Sequence, residues 1–412
     1  MKQQFIQRCV LTGTCFIITA LGLEVFGQGA LTPPGAPAPT MKTLTQVEPR
    51  TPIAALPYVI ISPGSYYLTT NLTTAVGLNG ITVAADHVAI DLRGFAIIGA
   101  GQFGQNFSAI IAPTPQVDLK VLNGSISLWS GDGVSAPTTK NSRLEDLRVN
   151  IVGRSALRIG DGSLVNNCVV QSNCFYQVGM PAIWVGAHCK VEMCVAQNNA
   201  GPGISTGNGG LVADCVANNN INEGIVTSDD SRVSDCVASL NLGNNPGDGI
   251  FIGNGGTVSG CVASGNTHDG IETIVHSMVL ACTVWTNGND GIIVQRGSTV
   301  KDCTAGRNLR DGVGVIEDCL AVDNNCVGNG NAGIRAYVDG NRIDSNSVIT
   351  NTVAGIDCSL STADLVIRNT ARLNGVNYLL NPAPAPNGTQ NATIFAAGPG
   401  FFNPDPWGNL SY

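Results

Sequence analysis

A phrase of about 21 residues is repeated five or six times within residues 193–313, and this repetition restricts the fold more than any other feature. One unit is longer, with 25 residues between Cys236 and Cys261. The evenly spaced cysteines are Cys194, Cys215, Cys236, Cys261, Cys282 and Cys303. The glycines of a Gly-Ile or Gly-Val pair keep the same step at Gly249, Gly270, Gly291, Gly312 and Gly333. A fixed period of this length indicates stacked structural repeats.

Alternating apolar residues within each unit predict three short strands and no helix. The side chains expected to point inward are small or β-branched. They are Ile225, Ile250, Ile271, Ile292 and Ile334 on the first strand, Val233, Val258, Val279 and Val300 on the second, and Ala217, Ala238, Ala263 and Ala305 on the third. The sequence therefore predicts an all-β parallel solenoid. Leucine-rich repeats need more leucine, and calcium-binding nonapeptide rolls need a period of nine.

Asparagine stands four residues before the repeated glycine in eight successive units. Stacked amides can hydrogen-bond from coil to coil and satisfy buried backbone groups, so we predict an asparagine ladder inside a turn. Its expected members are Asn199, Asn220, Asn245, Asn266, Asn287, Asn308, Asn329 and Asn351.

The 14 cysteines would ordinarily suggest disulfides in an exported chain. Cysteines one coil apart would stack at about 4.8 Å, whereas a disulfide prefers Cβ atoms about 3.8 Å apart. We therefore predict that the evenly spaced cysteines are small buried apolar groups. A bridge remains open among the less regular Cys168, Cys174, Cys189, Cys319, Cys326 and Cys358.

Composition changes along the chain predict four regions. Residues 1–29 resemble a signal peptide, with Lys2 and Arg8 before an apolar stretch at residues 10–23 and small residues after it; an uncleaved anchor is the alternative. Residues 30–57 form a Pro-rich linker or amino-terminal cap, residues 58–380 the solenoid, and residues 381–412 a carboxy-terminal cap or tail. The protein is expected to be secreted, periplasmic or on the cell surface. A membrane span after signal cleavage is not expected, because no later apolar stretch is long enough.

The net charge of −8 argues against a nucleic-acid partner, which would require a basic stripe.

The repeated phrases DCVANNNINEGI and SGCVASGNTHDGI, with the opening phrase PGSYYLTTNLT, resemble the β-helix repeat proteins of the pectin-lyase-like superfamily. The resemblance covers residues 58–378 and implies a right-handed parallel β-helix with three short strands per ~21-residue coil. That superfamily includes polysaccharide lyases, glycoside hydrolases, sugar-modifying enzymes and adhesins, so the fold does not select an activity. The Gly-His-Gly, Arg-Ile-Lys and Trp-Ile-Asp-His signatures of its enzymes are absent here.

The first candidate site is the acidic column immediately before the repeated glycines: Glu223, Asp248, Asp269, Asp290 and Asp311. Stacked carboxylates repel each other unless a cation such as Ca²⁺ is shared among them. Aspartate before glycine is also common in turns, where its side chain bonds to local backbone. The turn interpretation is favoured, so no metal or cofactor is predicted; Asp248, Asp269, Asp290 and Asp311 are the residues that a Ca²⁺ ion could use.

The second candidate site is the stretch THDGIETIVHS at residues 267–277, which holds half of the four histidines. His268, Asp269 and Glu272 could supply the base of a lyase or a carboxylate of a hydrolase. Arg296 and Arg310 follow in the next coils. A solvated turn is the favoured alternative interpretation.

The third candidate site is the outward column that follows each Gly-Ile pair. Aromatic and charged side chains on a long flat face suit stacking on sugar rings, and Trp184, Phe251, Glu272 and Arg335 are the predicted ligand-binding residues. The column comprises Arg158, Trp184, Val226, Phe251, Glu272, Ile293, Arg335 and Asp357.

These observations favour an exported, non-catalytic β-helix protein that binds polysaccharide or another cell-surface partner. The alternative is a polysaccharide lyase or glycoside hydrolase that uses His268, Asp269 and Glu272.

Overall fold

The computed structural model describes residues 48–101, 105–177, 179–243, 247–381, 390–391, 394–396 and 405–411. Every regular element in these ranges is a β-strand, and the strands of successive coils pair in parallel. The solenoid makes about 14 turns, and each coil has the predicted three strands. It lies within one compact unit, Arg50–Tyr412.

One strand from each coil contributes to a 15-stranded sheet, which we call the front sheet. Each of its central three-residue strands begins at the residue after the repeated glycine. The strands are Tyr58–Ile60, Ile81–Val83, Ile110–Ile111, Val134–Ala136, Leu157–Ile159, Ile183–Val185, Ile204–Thr206, Ile225–Thr227, Ile250–Ile252, Ile271–Thr273, Ile292–Val294, Val313–Val315, Ala332–Ala336, Ala354–Cys358 and Val376–Leu380.

The remaining 30 strands form the back sheet, to which most coils contribute two strands. The long strands Lys120–Trp129 and Arg143–Val152 run through both of its ladders. The first ladder comprises Thr51–Ile53, Gly64–Leu68, Val88–Asp91, Leu164–Asn166, Lys190–Glu192, Leu211–Ala213, Arg232–Ser234, Thr257–Ser259, Met278–Leu280, Thr299–Lys301, Leu320–Val322, Arg342–Asp344, Leu365–Ile367 and Gln390–Asn391. The second comprises Leu72–Thr73, Ala96–Ile98, Val169–Gln171, Val195–Gln197, Val216–Asn218, Val237–Ser239, Val262–Ser264, Thr283–Trp285, Thr304–Gly306, Asn325–Val327, Ser347–Ile349, Thr370–Arg372, Ile394–Ala396 and Asn409–Ser411.

The core is a column of stacked apolar side chains inside the coils. All of the residues predicted to point inward on the three strands have no solvent exposure. Each coil buries an aliphatic side chain against the aliphatic side chain of the next coil, for example Ile271 beside Ile292. Burial of one such side chain contributes about 1.5–3 kcal/mol, and the repetition extends this gain along the solenoid.

The asparagine ladder is present inside the turn that precedes the front sheet. Nδ2 of Asn266 donates to Oδ1 of Asn287 at 3.0 Å, and Nδ2 of Asn287 donates to Oδ1 of Asn308 at 3.0 Å. One predicted member was wrong: Asn241 occupies the position assigned to Asn245, because the extra residues of the longer coil follow the ladder position. Asn245 itself lies outside the described residues.

The ladder also explains the repeated glycine. A Cβ atom at Gly291 would lie 2.5 Å from Nδ2 of Asn308 and 2.5 Å from the carbonyl oxygen of Gly312. Both separations are shorter than van der Waals contact, so a side chain there would displace the next coil.

The evenly spaced cysteines form a second ladder of side chains. Each of them comes immediately before a strand of the back sheet's second ladder, whereas the asparagines of the asparagine ladder come after that strand. The backbone N–H of Cys282 faces Sγ of Cys303 at 3.4 Å, and Sγ of Cys282 donates to the carbonyl of Leu280 at 3.2 Å. Asparagines continue the same column from Asn324 onward, where Oδ1 of Asn324 accepts the N–H of Cys303 at 3.0 Å. The 12 cysteines among the described residues are all buried free thiols, including Cys168, which stacks in this ladder.

The ends of the solenoid extend beyond the predicted solenoid boundaries. Thr51–Ile53 pairs with Tyr66, Tyr67 and Leu68, although it lies in the predicted linker or cap at residues 30–57. At the other end, Asn409–Ser411 pairs with the strand Thr370–Arg372, within the predicted carboxy-terminal cap or tail. The predicted signal peptide, residues 1–29, lies outside the described residues.

Candidate functional site

A row of buried aspartates stands at the start of four successive front-sheet strands. Oδ1 of Asp248 accepts the N–H of Asp269 at 2.9 Å, and Oδ1 of Asp269 accepts the N–H of Asp290 at 2.7 Å. In the same way, Oδ1 of Asp290 accepts the N–H of Asp311, and Oδ1 of Asp311 accepts the N–H of Ala332, both at 2.9 Å. One carboxylate oxygen of each aspartate therefore ties its coil to the next, whereas the sequence suggested bonds within the local turn.

Four ionisable side chains from two adjacent coils converge beside the strand Ile271–Thr273. Asp248 comes from one coil, and His268, Asp269 and Glu272 come from the next; one nitrogen or oxygen atom of each lies within 4.8 Å of the others. Nδ1 of His268 lies 2.6 Å from Oδ1 of Asp248 and 3.1 Å from Oδ2 of Asp269. We call these four residues the His268 cluster.

His276 does not join the cluster, although it belongs to the same predicted stretch. Its side chain is exposed, and it lies in a turn beyond Ile271–Thr273 with a φ of 56°. The structure therefore brings together the other three ionisable residues of that stretch and adds Asp248.

Two members of the cluster face solvent and two are buried behind them. The side chain of His268 is 37% exposed and Glu272 is half-buried, whereas the side chains of Asp248 and Asp269 are 0% and 3% exposed. Oδ2 of Asp248 accepts no hydrogen bond from any residue in the described part of the chain. The buried aspartates can orient His268 and stabilise its protonated form. His268 and Glu272 are the two members that a ligand can reach.

The electrostatics of the cluster follow from this crowding. Burial, followed by the nearby Asp248 carboxylate, raises the pKa of Glu272 to about 7. Burial also raises the pKa of Asp248 and of Asp269. Burial acts to lower the pKa of His268, but its hydrogen bond to Asp248 and the surrounding carboxylates outweigh that effect and raise it. A carboxyl with a pKa near neutrality beside a carboxylate-bound imidazole is suited to general acid–base chemistry.

A hydrogen-bonded network extends from the cluster across the next coils. Nδ2 of Asn289 donates to Oδ1 of Asp269 at 2.7 Å, and NH1 of Arg310 donates to Oδ1 of Asn289 at 3.0 Å. NH2 of Arg310 donates to the hydroxyl oxygen of Tyr337 at 2.9 Å, and that hydroxyl donates to Oδ2 of Asp311 at 2.8 Å. The network holds a guanidinium on the same face as His268.

The predicted outward column runs along the front sheet, although its last member, Asp357, is only 4% exposed. Phe251 pairs with Glu272, so this aromatic ring lies in the coil of Asp248, one coil before Glu272. Trp184 lies further toward the amino terminus, where the guanidinium of Arg158 stacks 4.2 Å from its ring centroid. Arg335 lies at the other end, 5.1 Å from the ring centroid of Tyr337, and its Nε is 3.6 Å from Oδ2 of Asp357. The four predicted ligand-binding residues share one face, but only Glu272 belongs to the cluster.

Sequence reasoning did not identify Asn289 or Tyr337 as site residues. A usable signal existed for Asn289, because His268, Asn289, Arg310 and Asn331 all stand two residues before a repeated glycine and therefore form one outward row. Tyr337 carries no such signal, because it follows the strand Ala332–Ala336, which is longer than its neighbours.

Helices long and apolar enough to cross a bilayer are not found among the described residues.

A family model described as the right-handed β-helix region matches residues 124–279 and 231–372, which together cover more than half of the chain. No relative was found among the curated protein sequences.

Solved structures with a similar fold have diverse functions. The periplasmic alginate epimerase AlgG is 12% identical, with 79% of this chain and 77% of that chain covered and a TM-score of 0.40. PfbA, a surface adhesin of Streptococcus pneumoniae, is 9% identical, with coverages of 79% and 85% and a TM-score of 0.41. The pectate lyase Pel9A is 14% identical, with coverages of 69% and 72% and a TM-score of 0.38. At these levels the likeness concerns the fold alone.

Proposed function

Because the chain belongs to the right-handed β-helix family, whose fold is compatible with many activities, we propose from its site that it is an exported enzyme acting on polysaccharide. The His268 cluster is the catalytic site of this proposal, and the reaction is eliminative cleavage of the sugar chain. The observation that carries it is the contact of His268 with buried Asp248, beside a half-buried Glu272.

The two reachable members of the cluster have complementary roles. His268, held by Asp248 at 2.6 Å, is oriented as a base, as imidazoles are by buried carboxylates in other enzymes. Glu272, with a pKa raised to about 7 by burial and by Asp248, retains a proton that it can donate near neutral pH. One group removes the proton next to a sugar carboxyl, and the other protonates the leaving oxygen.

The exposure of the carboxylates favours elimination over hydrolysis. A glycoside hydrolase needs two carboxyl groups that both reach the scissile bond. The side chains of Asp248 and Asp269 are 0% and 3% exposed, so neither is placed to attack a sugar ring. One histidine and one glutamate suit proton removal and return instead, and the substrates of such eliminations are uronate polymers.

The surface around the cluster suits a long polymer. Phe251 lies one coil before Glu272 on the same outward column, and Trp184 lies on that column nearer the amino terminus. Half-buried aromatic rings on a flat face provide stacking surfaces for sugar rings. The signal-like residues 1–29 support export to the compartment where such polymers occur.

The proposal is tested by incubating the purified protein with a panel of polyuronates and neutral polysaccharides. Ultraviolet absorbance reports the unsaturated product of elimination, whereas new reducing ends without that absorbance report hydrolysis. We expect elimination with a polyuronate, and we expect His268→Gln and Glu272→Gln each to lower its rate on the order of 10²-fold to 10⁴-fold.

His276→Gln is the matched control, because His276 lies in the same coil but away from the cluster, and its rate should equal that of the unmodified protein. Elimination that survives both His268→Gln and Glu272→Gln would place the chemistry elsewhere. Hydrolysis without elimination would overturn the reaction type.

A non-catalytic carbohydrate-binding role is the second candidate, and the stacked pair of Arg158 and Trp184 favours it. On a glycan array, Trp184→Ala and Phe251→Ala should then weaken binding while His268→Gln leaves it unchanged. An array without any bound glycan rules this role out.

A further inference from the structure

We propose that the His268 cluster binds a divalent transition-metal ion through Nδ1 of His268 and one carboxylate oxygen each from Asp248, Asp269 and Glu272. The inference builds on the proposed function in that both use the same cluster, but its evidence and its test do not need a substrate. It differs from the calcium site considered for the aspartate column, because its ligands include an imidazole and Glu272.

The negative charge of the cluster is not balanced by cationic side chains. Three carboxyl groups converge here, and the ion pairs of Asp248 and Asp269 are both with His268. Within the described ranges, no lysine or arginine forms an ion pair with any member of the cluster. Buried carboxylates are normally paired with cationic side chains or coordinate a metal, so the cluster has a deficit that one divalent ion would correct.

One buried carboxylate oxygen of the cluster lacks a hydrogen-bond partner among the described residues. Asp248 has no solvent exposure, and its Oδ1 already bonds to the N–H of Asp269 and to His268. Its Oδ2 has no hydrogen-bond partner among the described residues, although nearly all buried polar atoms have one. Coordination to an ion would give this oxygen a partner.

The distances within the cluster also suit a single bound ion. The four candidate ligand atoms lie within 4.8 Å of one another, and Nδ1 of His268 is 3.1 Å from Oδ2 of Asp269. Metal–ligand bonds of about 2.1 Å put opposite ligands of one ion about 4.2 Å apart. Small side-chain rotations would therefore bring all four atoms into one coordination sphere.

The donor set selects the class of ion. Calcium takes oxygen ligands, whereas one imidazole with three carboxylates suits Mn²⁺, Fe²⁺ or Zn²⁺. At the other end of the aspartate column, Oδ2 of Asp311 accepts a hydrogen bond from Tyr337. Oδ2 of Asp290 has no hydrogen-bond partner among the described residues, but it lies 3.7 Å from NH1 of Arg310, whose positive charge balances this carboxylate. Asp290 and Asp311 are therefore not part of the proposed site.

A bound ion would take the carboxylate form of Glu272, which could then no longer act as the proton donor, and it would also ease an electrostatic conflict at the cluster. A uronate carboxylate that approaches the cluster meets three carboxyl groups of the protein, and like charges repel. A divalent ion would cancel two of the three negative charges and so reduce that repulsion.

The experiment is a titration of the purified, chelator-treated protein with Mn²⁺, followed by electron paramagnetic resonance of the free ion, and with Zn²⁺, followed by calorimetry. We expect one ion per chain and a higher melting temperature in its presence, because a ligand that binds only the folded state stabilises it. His268→Gln and Glu272→Gln should each weaken binding at least about tenfold, which is about 1.4 kcal/mol. His276→Gln, the matched control, should bind as the unmodified protein does.

Three results would overturn the inference. Absence of Mn²⁺ and Zn²⁺ binding would mean that a proton shared by Asp248 and Glu272 relieves the charge instead. Equal affinity in the two cluster variants would place any bound ion elsewhere. Tighter binding of Ca²⁺ than of Mn²⁺ would overturn the class of ion.

The outcomes for the two proposals are separable. Metal binding by a protein without elimination activity supports the ion site and removes the proposed reaction. If the protein binds no ion, and elimination depends on Glu272 and persists in the presence of chelator, the proposed reaction is supported and the ion site is ruled out.

Discussion

The imidazole of His268 and the carboxylate of Asp248 are 20 residues apart in the chain, and their Nδ1 and Oδ1 atoms lie 2.6 Å apart. The contact exists because one turn of the solenoid returns the chain to the same face, one strand further along. The same Oδ1 atom also accepts the N–H of Asp269, so the carboxylate cannot rotate away from the imidazole without breaking the connection between coils. A structural ladder thus fixes the orientation of a reactive side chain.

Replacement of this ladder carboxylate should affect rate more than substrate binding. We expect Asp248→Asn to lower the elimination rate on the order of 10²-fold to 10⁴-fold with little change in KM, because the amide keeps the bond to Asp269 but no longer supports a charged imidazole. Asp311→Asn is the matched control in the same column, and its rate should stay close to that of the unmodified protein. Steady-state kinetics of both variants check this prediction, and a similar loss in both would point to general damage to the ladder.

The asparagine ladder should be a major source of stability. Asn287→Ala removes the acceptor of both the backbone N–H and Nδ2 of Asn266, and it removes the donors to Ala263 and Asn308. Because unmet buried polar groups cost about 1–3 kcal/mol each, we expect a loss of at least about 3 kcal/mol in the free energy of unfolding. Urea unfolding monitored by circular dichroism measures it. Asn325→Ala, an exposed position, should cost less than about 0.5 kcal/mol.

The cysteines should behave as protected thiols. All 12 that the structure describes are buried and free, so we expect no reaction with a thiol reagent such as Ellman's reagent in the folded protein. After unfolding in guanidinium, those 12 thiols should react, together with any contributed by residues 1–29. A lower count would reveal disulfides, and rapid reaction before unfolding would show that the ladder opens.

The acid stability of the carboxy-terminal coils should depend on Asp344. Burial acts to raise its pKa, but hydrogen bonds from Arg368, then Arg342 and Ser345, outweigh burial and lower it to about 2. A carboxyl whose pKa is lower when folded than its usual value of about 3.9 stabilises the fold above that value, and the contribution is lost as the pH falls toward 2. Asp344→Asn should therefore destabilise the protein at pH 7, and the difference from the unmodified protein should shrink between pH 4 and pH 2. An equal difference at both ends of this range in urea unfolding would contradict the assignment.

The fold was largely predictable because each coil uses the same few residue types for the same physical task. The period and the inward isoleucine, valine and alanine positions were predicted from alternation alone, and all of them are buried. The asparagine ladder was predicted from one repeated offset. The prediction failed only at the longer coil, where Asn241 rather than Asn245 continues the ladder. An offset counted back from the glycine does not show where the extra residues of a longer coil are inserted.

The candidate site was predictable only in part. His268, Asp269 and Glu272 were found because they are adjacent in sequence and chemically unusual. Asp248 was seen only as one member of an acidic column, and the sequence did not distinguish it from Asp290 or Asp311. That distinction depends on neighbours in adjacent coils, where Asp311 meets Tyr337 and Asp248 meets His268.

The sequence by itself determined the parallel β-helix, because a period of about 21 residues with buried small side chains and stacked amides is satisfied by repeated short strands. The tertiary structure alone decided which outward side chains meet, since it sets the register between coils and the side-chain rotamers. At the His268 cluster, that register joins four ionisable groups and leaves one buried carboxylate oxygen without a hydrogen-bond partner among the described residues.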